Sequence, residues 1–238
     1  MYELDKTWRI EEAKIELLST DFYDSISASL KEGLTALSNC TISEIICLGL
    51  GRIGECLIPR FQFALLLCLY DIYKVKISVF DPVFTDEEKC ILKHFNCNIL
   101  TENLEGKYKV KDKYILFYLP HCPKQLTNNL LWANWGLNLT YCVIISNSFN
   151  TIIENTSKRE LRESGQYISN IIPYTLELAI INSFKYYEVF NDLAIHIFPF
   201  EKLNIISDDI WNFTNEPKYS DADIEFIRNC VEENLKLT

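Results

Sequence analysis

Residues 42–54 read ISEIICLGLGRIG, an apolar run that ends in a glycine-rich turn. An apolar run of this length bounded by a turn is typical of a buried strand. The residues that follow, from Pro59 to Tyr73, are apolar on almost every side and predict a buried helix. A second apolar run, residues 76–80, then ends at Asp81. A strand, a glycine turn, a helix and a second strand form the first half of a doubly wound α/β unit.

The glycine turn has the GxGxxG spacing of a dinucleotide-binding loop, with Gly49, Gly51 and Gly54 between a strand and a helix. Glycine suits such a turn because it accepts positive φ and lets a ligand approach the backbone. Two observations argue against a dinucleotide. Pro59 predicts a helix that begins well after the turn, and Asp81 lies further along than the about 20 residues expected of a ribose-binding acid. A tight turn without a ligand remains the alternative.

Hydrophobic periodicity predicts the remaining elements of the domain. Further strands are expected at residues 97–100, 114–119, 141–145 and 193–198, and further helices at 85–95, 124–135 and from about 171 or 173 to 184. Thr85 and Glu88 form a capping box at the start of one of these helices. The polar residues 101–113 are expected to form a surface connection. The prediction is a Rossmann-like three-layer α/β sandwich with a mostly parallel sheet of about six strands.

The domain organisation follows from the two ends of the chain. Residues 1–40 predict two amphipathic helices, with Asp21 or Ser25 capping the break between them, and form a segment packed on the domain. Residues 41–238 predict one domain, because α/β folds of this length are routinely undivided. A last helix is expected over residues 220–235.

Composition narrows the class of protein. The net charge of −10 argues against a general nucleic-acid binder, which needs clustered lysine and arginine. The sequence predicts neither a signal peptide nor a membrane span, since the longest apolar stretch is short and interrupted. The nine cysteines form no CxxC pair and mostly lie in apolar runs. Reduced thiols in a cytoplasmic or nuclear protein are therefore expected.

Polar residues follow several of the predicted strands. Ligands bind outside the carboxyl ends of strands in open α/β sheets, so we expect these side chains to share a cleft. Arg60 and Gln62, the polar exceptions near the start of the long helix, either face that cleft or lie on the surface. The candidate ligand-binding residues are Gly49, Gly51, Arg60, Asp81, His121, Asn147, Asp192 and His196.

Two of these residues, His121 and His196, and the neighbouring Cys122 have alternative interpretations. His121 and Cys122 are a nucleophile and a base by type, but neighbouring residues at a strand end point apart. Cys122 and Pro123 also match the short Cys-Pro signature of haem-responsive sites. His196 lies in an apolar strand, which favours a buried, hydrogen-bonded core residue over a residue that shares the cleft with Asn191 and Asp192. No zinc-type spacing and no GxSxG elbow occurs, so the sequence predicts no metal site and identifies no catalytic set.

The ordered set of motifs resembles the sensitivity-to-red-light-reduced (SRR1-like) family over roughly residues 42–200. The resemblance implies a regulatory protein, tied in plants to phytochrome signalling and the circadian clock, and in fungi and animals to cell proliferation, microtubule stability and haem biosynthesis. It implies no established reaction, and of the three glycines only the first two are typical of the family. The motifs that carry the resemblance are CLGLG (47–51), Arg60 and Gln62, DPVF (81–84), Phe117-Tyr118 with His121-Cys122, NNLLW (128–132), NSF (147–149), and FND (190–192) with His196.

The sequence leaves the ligand open. The leading hypothesis is a regulatory protein that binds a small molecule in the cleft and has protein partners still to be identified. A second is an adenosylmethionine-dependent methyltransferase, with Gly49 and Gly51 at the amino-acid part and Asp81 at the ribose. A third is a haem sensor that uses Cys122, and a fourth is an interaction scaffold with an empty cleft. The cofactor candidates are adenosylmethionine, a nucleotide and haem.

Overall fold

The computed structural model describes residues 2–38 and 40–220, with side chains from residue 6 onward. Its centre is a seven-stranded sheet in the order β3-β2-β1-β4-β5-β7-β6. β1 to β5 are parallel, and β7 runs antiparallel to both of its neighbours. The strands are β1 Ile42–Leu48, β2 Lys76–Phe80, β3 Asn98–Ile99, β4 Tyr114–Leu119, β5 Cys142–Asn147, β6 Leu176–Ala179 and β7 Leu193–Ile197.

Helices cover both faces of the sheet and complete three layers. One hydrophobic core contains buried residues of the first four helices, such as Leu17, Leu30 and Phe63. The other contains buried residues of later helices, such as Leu130 and Ile168. The helices are α1 Tyr2–Leu18, α2 Asp21–Ala36, α3 Leu57–Tyr73, α4 Asp86–His94, α5 Lys124–Ala133, α6 Phe149–Asn155, α7 Lys158–Ser164, α8 Gln166–Ile171, α9 Phe200–Leu203 and α10 Asp208–Trp211. The Rossmann-like three-layer prediction is thereby confirmed.

The sheet has seven strands where about six were expected, because residues 171–184 do not form the predicted helix. The helix before this segment ends at Ile171, and β6 follows after a short 3-10 turn. Leu176 and Leu178 pair with Ile197 and Ile195 of β7. Alternation of apolar and polar residues over β6 is the strand period, and pairing with β7 outweighs the helical spacing of the flanking residues.

Three further predictions concern helices and the residues that cap them. The cap of α2 is Thr20, whose hydroxyl accepts the Tyr23 N–H at 3.2 Å, rather than Asp21 or Ser25. Thr20 precedes the first helical residue and has extended backbone, as a cap requires. The capping box of Thr85 and Glu88 is present as predicted. The helix expected over residues 220–235 lies outside the described residues.

The N-terminal helices share the core of the sheet. Ile10 and Leu17 of α1 are fully buried in the same hydrophobic core as the central strands. In α2, Phe22 stacks on Phe190 with ring centroids 4.3 Å apart. All eight cysteines of the described ranges are free thiols. In those same ranges no helix combines the length and apolar character needed to cross a membrane.

Candidate functional site

A cleft of about 450 Å³ opens at the carboxyl ends of β1, β2 and β4. We call it the apolar lobe, because most of its walls are aliphatic or aromatic. The loop after β1 forms its floor, the β2 end and the start of α3 form two sides, and residues 103–108 form the far wall. The lining residues are Leu48, Gly49, Leu50, Gly51, Ile58, Pro59, Gln62, Phe80, Asp81, Pro82, Val83, Asn103, Gly106, Tyr108, Pro120, His121, Cys122, Pro123 and Leu126.

The glycine turn is shaped by Gly49 and Gly51, whose φ angles are +73° and +72°. A Cβ at Gly49 would overlap the sulfur of Cys122, so the close approach of this turn to β4 also requires glycine. Gly54 does not have positive φ. Only the first two glycines of the motif are therefore conformationally required.

Two backbone N–H groups of this turn, those of the two glycines, are engaged within the protein. Gly49 donates to the Phe80 carbonyl at 3.1 Å, and Gly51 donates to Oδ2 of Asp81 at 2.7 Å. The second glycine of the turn is thus tied to the carboxylate at the end of β2.

Asp81 is fixed by two backbone donors. Its Oδ2 accepts Gly51 N–H, and its Oδ1 accepts Val83 N–H at 2.9 Å. Burial raises the pKa of Asp81, the two hydrogen bonds oppose that rise, and the charge of Glu88 adds to it. The carboxylate is held in one orientation on the wall of the cleft.

His121 bridges two elements across the mouth of the cleft. Its φ is +53°, in the left-handed region that is uncommon for residues other than glycine. Nε2 lies 3.0 Å from the Asn191 carbonyl, which only accepts, and Nδ1 lies 3.2 Å from Nε2 of Gln62. These contacts assign a ring that donates from Nε2 and accepts at Nδ1.

Gln62, one of the two polar exceptions near the start of the apolar helix, is a buried residue that lines the cleft. Its amide nitrogen donates to Val189 O at 3.1 Å and also faces His121, so both amide hydrogens are engaged. The amide oxygen is the atom left to face the cleft. Gln62 lies in an otherwise apolar stretch of α3. A glutamine in such a stretch is the sequence signal that marks it as a candidate cleft residue.

A second lobe of about 370 Å³ adjoins the first, and His121 lines both. We call it the polar lobe, because amide, hydroxyl and carboxylate side chains form most of its walls. The lining residues are His121, Asn147, Ser148, Thr151, Ile152, Asn155, Thr156, Asn191 and Asp192. The parallel strands thus place Asp81 in one lobe, Asn147 in the other and His121 in both, and a role of these residues in ligand binding stays a prediction.

Each lobe is lined by a residue that carries a buried polar atom without a hydrogen-bond partner among the described residues. These atoms are the hydroxyl of Tyr108 beside the apolar lobe and Oδ1 of Asn147 beside the polar lobe, and Ser27 and Tyr118, which line neither lobe, carry such atoms too. Burial, with a smaller contribution from Glu102, raises the pKa of Tyr108 to about 12, so its hydroxyl stays protonated. Unpaired buried polar atoms are rare in folded proteins and call for a partner.

The far wall of the apolar lobe is held by asparagines of α5 and its C-terminal cap. Asn134 is buried, accepts Val110 N–H at 2.7 Å and donates to Tyr108 O at 2.7 Å. Asn129 donates to Glu105 O at 2.7 Å. Residues 101–113 are therefore not a mere surface connection, since Tyr108 and Val110 are buried in the second core.

Cys122 and His121 do not contact each other as a catalytic pair. The Cys122 thiol donates to Leu48 O at 3.2 Å, while His121 faces the cleft mouth. Burial raises the pKa of Cys122 well above its usual range, with a smaller contribution from Asp81. A protonated thiol engaged with a carbonyl does not favour ligation of haem iron, and the haem hypothesis stays a prediction.

Two of the predicted residues lie away from both lobes. Arg60 is half-buried at the start of α3 and is absent from either lining. His196 is fully buried and stacks on Phe149, with centroids 3.6 Å apart. Its side chain therefore has the structural surroundings of a core residue. The remaining predicted residues, Gly49, Gly51, Asp81, His121, Asn147 and Asp192, line one lobe or the other.

His196 forms a buried ion pair with Glu177 of β6, at 3.1 Å. Its other nitrogen, Nδ1, lies 3.2 Å from Ile144 O, and the Phe149 N–H points at Nε2 from 3.3 Å. Burial by itself raises the pKa of Glu177. The hydrogen bond and charge of His196, with donors from Ser148 and Asn150, outweigh burial and lower the pKa of Glu177 to about 2. The pair connects β6 and β7 to the start of α6, which borders the polar lobe.

The electrostatics of the cleft are one-sided. Asp81 and Asp192 contribute carboxylates, and among the residues that the structure describes no lysine or arginine lines either lobe. Within residues 2–38 and 40–220, no three histidine, cysteine or acidic side chains are grouped closely enough to hold a metal ion. The cleft is therefore suited to hydrogen-bond donors and positive charge.

Comparison with known proteins places relatives beside this geometry. A family model described as the SRR1 domain matches residues 21–197. The SRR1-like protein of Drosophila melanogaster is 31% identical over 197 residues, 82% of this chain and 69% of that protein. The SRR1-like protein of Mus musculus is 36% identical over 138 residues, 56% of this chain and 55% of that protein. Protein SENSITIVITY TO RED LIGHT REDUCED 1 of Arabidopsis thaliana is 30% identical over 207 residues, 82% of this chain and 74% of that protein.

Solved structures resemble the fold only distantly. MtNAS in complex with MTA and tNA is 12% identical with a TM-score of 0.40, covering 81% of this chain and 70% of that chain. The plantazolicin methyltransferase BpumL in complex with SAH is 12% identical with a TM-score of 0.34, covering 82% of this chain and 95% of that chain. Likeness at this level carries no argument about function.

Proposed function

This chain belongs to the SRR1 family, and from that premise we propose that it is a regulatory protein that binds a small molecule in the two-lobed cleft. The single observation that carries the proposal is the apolar lobe itself, a cleft of about 450 Å³ at the carboxyl ends of the central strands whose wall holds Asp81 and His121 in fixed orientations. The proposal includes a cytoplasmic or nuclear location and protein partners. The name of the Arabidopsis relative suggests a role in the response to red light.

Two further features support binding in place of an empty scaffold cleft. Gln62, His121 and Asp81 are each held by hydrogen bonds to backbone or to one another, so the polar groups are oriented before a ligand arrives. Ile58 and Val83 remain 37% and 49% exposed at the rim of the apolar lobe. Apolar walls with a few oriented polar groups are typical of small-molecule sites.

The experiment is a thermal-shift and calorimetric screen of the full chain with nucleosides, nucleotides, adenosylmethionine and haem. Val83→Trp fills the apolar lobe from its exposed rim, and Ile205→Trp, at a position 74% exposed and outside both linings, is the matched control. We expect a ligand whose effect on the melting temperature is retained in Ile205→Trp and lost in Val83→Trp. A flat response from every compound, or the same response in both variants, would contradict the proposal.

A second candidate is an adenosylmethionine-dependent methyltransferase-like enzyme, and the observation that favours it is the contact between Gly51 and Asp81. The acid at the end of the second strand and the glycine turn lie side by side, where the ribose and the amino-acid part would lie. Saturable binding of adenosylmethionine that is lost in Asp81→Ala but kept in Asp86→Ala would support this candidate. Absence of binding at millimolar cofactor would remove it.

A further inference from the structure

We propose that the cleft accepts a nucleoside without a phosphate group, either neutral or positively charged. The inference rests on the proposed ligand-binding function and specifies the chemistry of that ligand. Four separate features of the two lobes lead to it.

The amides of the two glycines that a phosphate would approach most closely are already occupied. Nucleotide-binding turns present free backbone N–H groups at the start of the following helix. Here Gly49 N–H is used by Phe80 O and Gly51 N–H by Asp81. The helix itself begins only at Leu57, well beyond the turn. A phosphate at this turn would find an engaged amide and a carboxylate in place of free donors.

The charges of the cleft repel anions. Asp81 lines the apolar lobe and Asp192 the polar lobe, and no lysine or arginine lines either. A phosphate would therefore lie near two carboxylates without a compensating cation. A neutral ligand avoids this repulsion, and a cationic ligand gains from it.

Asp81 keeps the capacity to bind two adjacent hydroxyl groups. A carboxylate has about four acceptor positions, and the backbone donors of Gly51 and Val83 use one on each oxygen. One acceptor position therefore remains on each oxygen, which matches the vicinal hydroxyls of a ribose. The end of β2 is also the place where doubly wound folds bind such a diol.

The two lobes provide for the rest of a nucleoside. Aliphatic and aromatic side chains of the apolar lobe, including Phe80 and Val83, offer a surface for a flat base. In the polar lobe the carboxylate of Asp192 is an acceptor, and it favours an amino group at the 5′ position.

The test measures binding of matched ligands to the full chain by calorimetry. The panel contains the four common ribonucleosides, their 5′-monophosphates, and the 2′,3′-dideoxy and 5′-amino-5′-deoxy forms of whichever ribonucleoside binds. We expect at least one ribonucleoside to bind, with the monophosphate and the dideoxy form each at least about tenfold weaker, because one adds an unmatched anion and the other removes the diol. The 5′-amino form is expected to bind at least as tightly as the parent.

Two substitutions assign the diol contact. Asp81→Asn is expected to abolish the preference for ribose over dideoxyribose, whereas Asp86→Asn, at a fully exposed side chain on α4, keeps it. The comparison of ligands on the unaltered chain needs no variant, so it stands even if Asp81→Asn does not fold.

The outcomes separate this inference from the broader proposal. A monophosphate that binds as tightly as its nucleoside would overturn the inference and leave ligand binding intact. Equal affinity for ribose and dideoxyribose forms would overturn the role of Asp81 and with it the nucleoside assignment. If no compound of the panel binds, the inference fails, while the broader proposal is decided by the adenosylmethionine and haem arms of the thermal-shift screen with Val83→Trp.

Discussion

Gly49 combines a φ of +73° with a Cβ position that would overlap the sulfur of Cys122. Gly49→Ala is therefore expected to lower the free energy of unfolding by about 2 to 4 kcal/mol, from left-handed strain and steric overlap together. Denaturant unfolding measures the change. The matched variant Gly54→Ala places its methyl near the flexible ends of Ile91 and Lys6 and should cost less than about 1 kcal/mol.

A double variant separates the two causes of the destabilisation by Gly49→Ala, the steric overlap with Cys122 and the backbone strain. In the double variant Gly49→Ala with Cys122→Ala, the sulfur is gone and only the backbone strain remains. The two substitutions should then be less destabilising together than the sum of their separate effects by about 1 kcal/mol or more. Strict additivity would show that the sulfur is not what limits this turn.

At the scale of single elements, β6 depends on the ion pair of Glu177 with His196. The folded pKa of Glu177, about 2, lies below its ordinary value of 4.5, so the pair stabilises the protein above about pH 4.5 and is lost as the pH falls toward 2. We expect Glu177→Gln to lower the free energy of unfolding by about 2 kcal/mol near neutral pH and to flatten its decline in acid.

Urea unfolding at a series of pH values, from neutral to about pH 2, measures this difference. Glu163→Gln on the exposed side of α7 is the control, since its carboxylate is 63% exposed. Parallel curves for the unaltered protein and Glu177→Gln would contradict the assigned role of the pair.

The wall of the apolar lobe is a second element-scale test. Asn134→Leu leaves Val110 N–H and Tyr108 O without partners in a buried region. We expect a loss of about 2 to 3 kcal/mol in the free energy of unfolding, because each unsatisfied buried group costs about 1 to 3 kcal/mol. Hydrogen exchange should also speed up over residues 103–110.

Asn204→Leu, at an exposed position after α9, is the control for Asn134→Leu. Unchanged exchange over residues 103–110 in Asn134→Leu would show that the wall is held by other contacts.

On the scale of the whole molecule, the N-terminal helices and the sheet share one core. Leu17 of α1 is fully buried in it, whereas the adjacent Leu18 is 43% exposed. Leu17→Ala is expected to lower stability by about 2 to 4 kcal/mol, and Leu18→Ala by less than about 1 kcal/mol. Scanning calorimetry should show one cooperative transition that shifts as a whole. A separate, earlier transition in Leu17→Ala would indicate that α1 and α2 unfold independently.

The sequence predicted the elements that local patterns specify. The apolar runs of β1, β2 and β4 and the capping box of Thr85 and Glu88 are local signals, and each is present. The parallel sheet then required Asp81, His121 and Asn147 to meet at one edge. Local patterns did not reveal the helical spacing around β6 as misleading, because the pairing of β6 with β7 is a tertiary contact.

The dependence on tertiary contacts also explains which contacts of the site the sequence did not predict. Gln62 contacts His121 and Val189 from 59 and 127 residues away in sequence, and the Asn134 contacts with the wall span 24 and 26 residues. His196 was placed at the cleft because of its position in the chain. Its true partner, Glu177, lies on the strand that the periodicity did not predict.

The outermost strands of the sheet are very short, two residues in β3 and four in β6. Edge strands this short offer few free backbone groups onto which an extended peptide could add as a further strand. A protein that associates with this molecule is therefore expected to recognise side chains on its helical faces, because the backbone at the borders of the sheet offers too short a template.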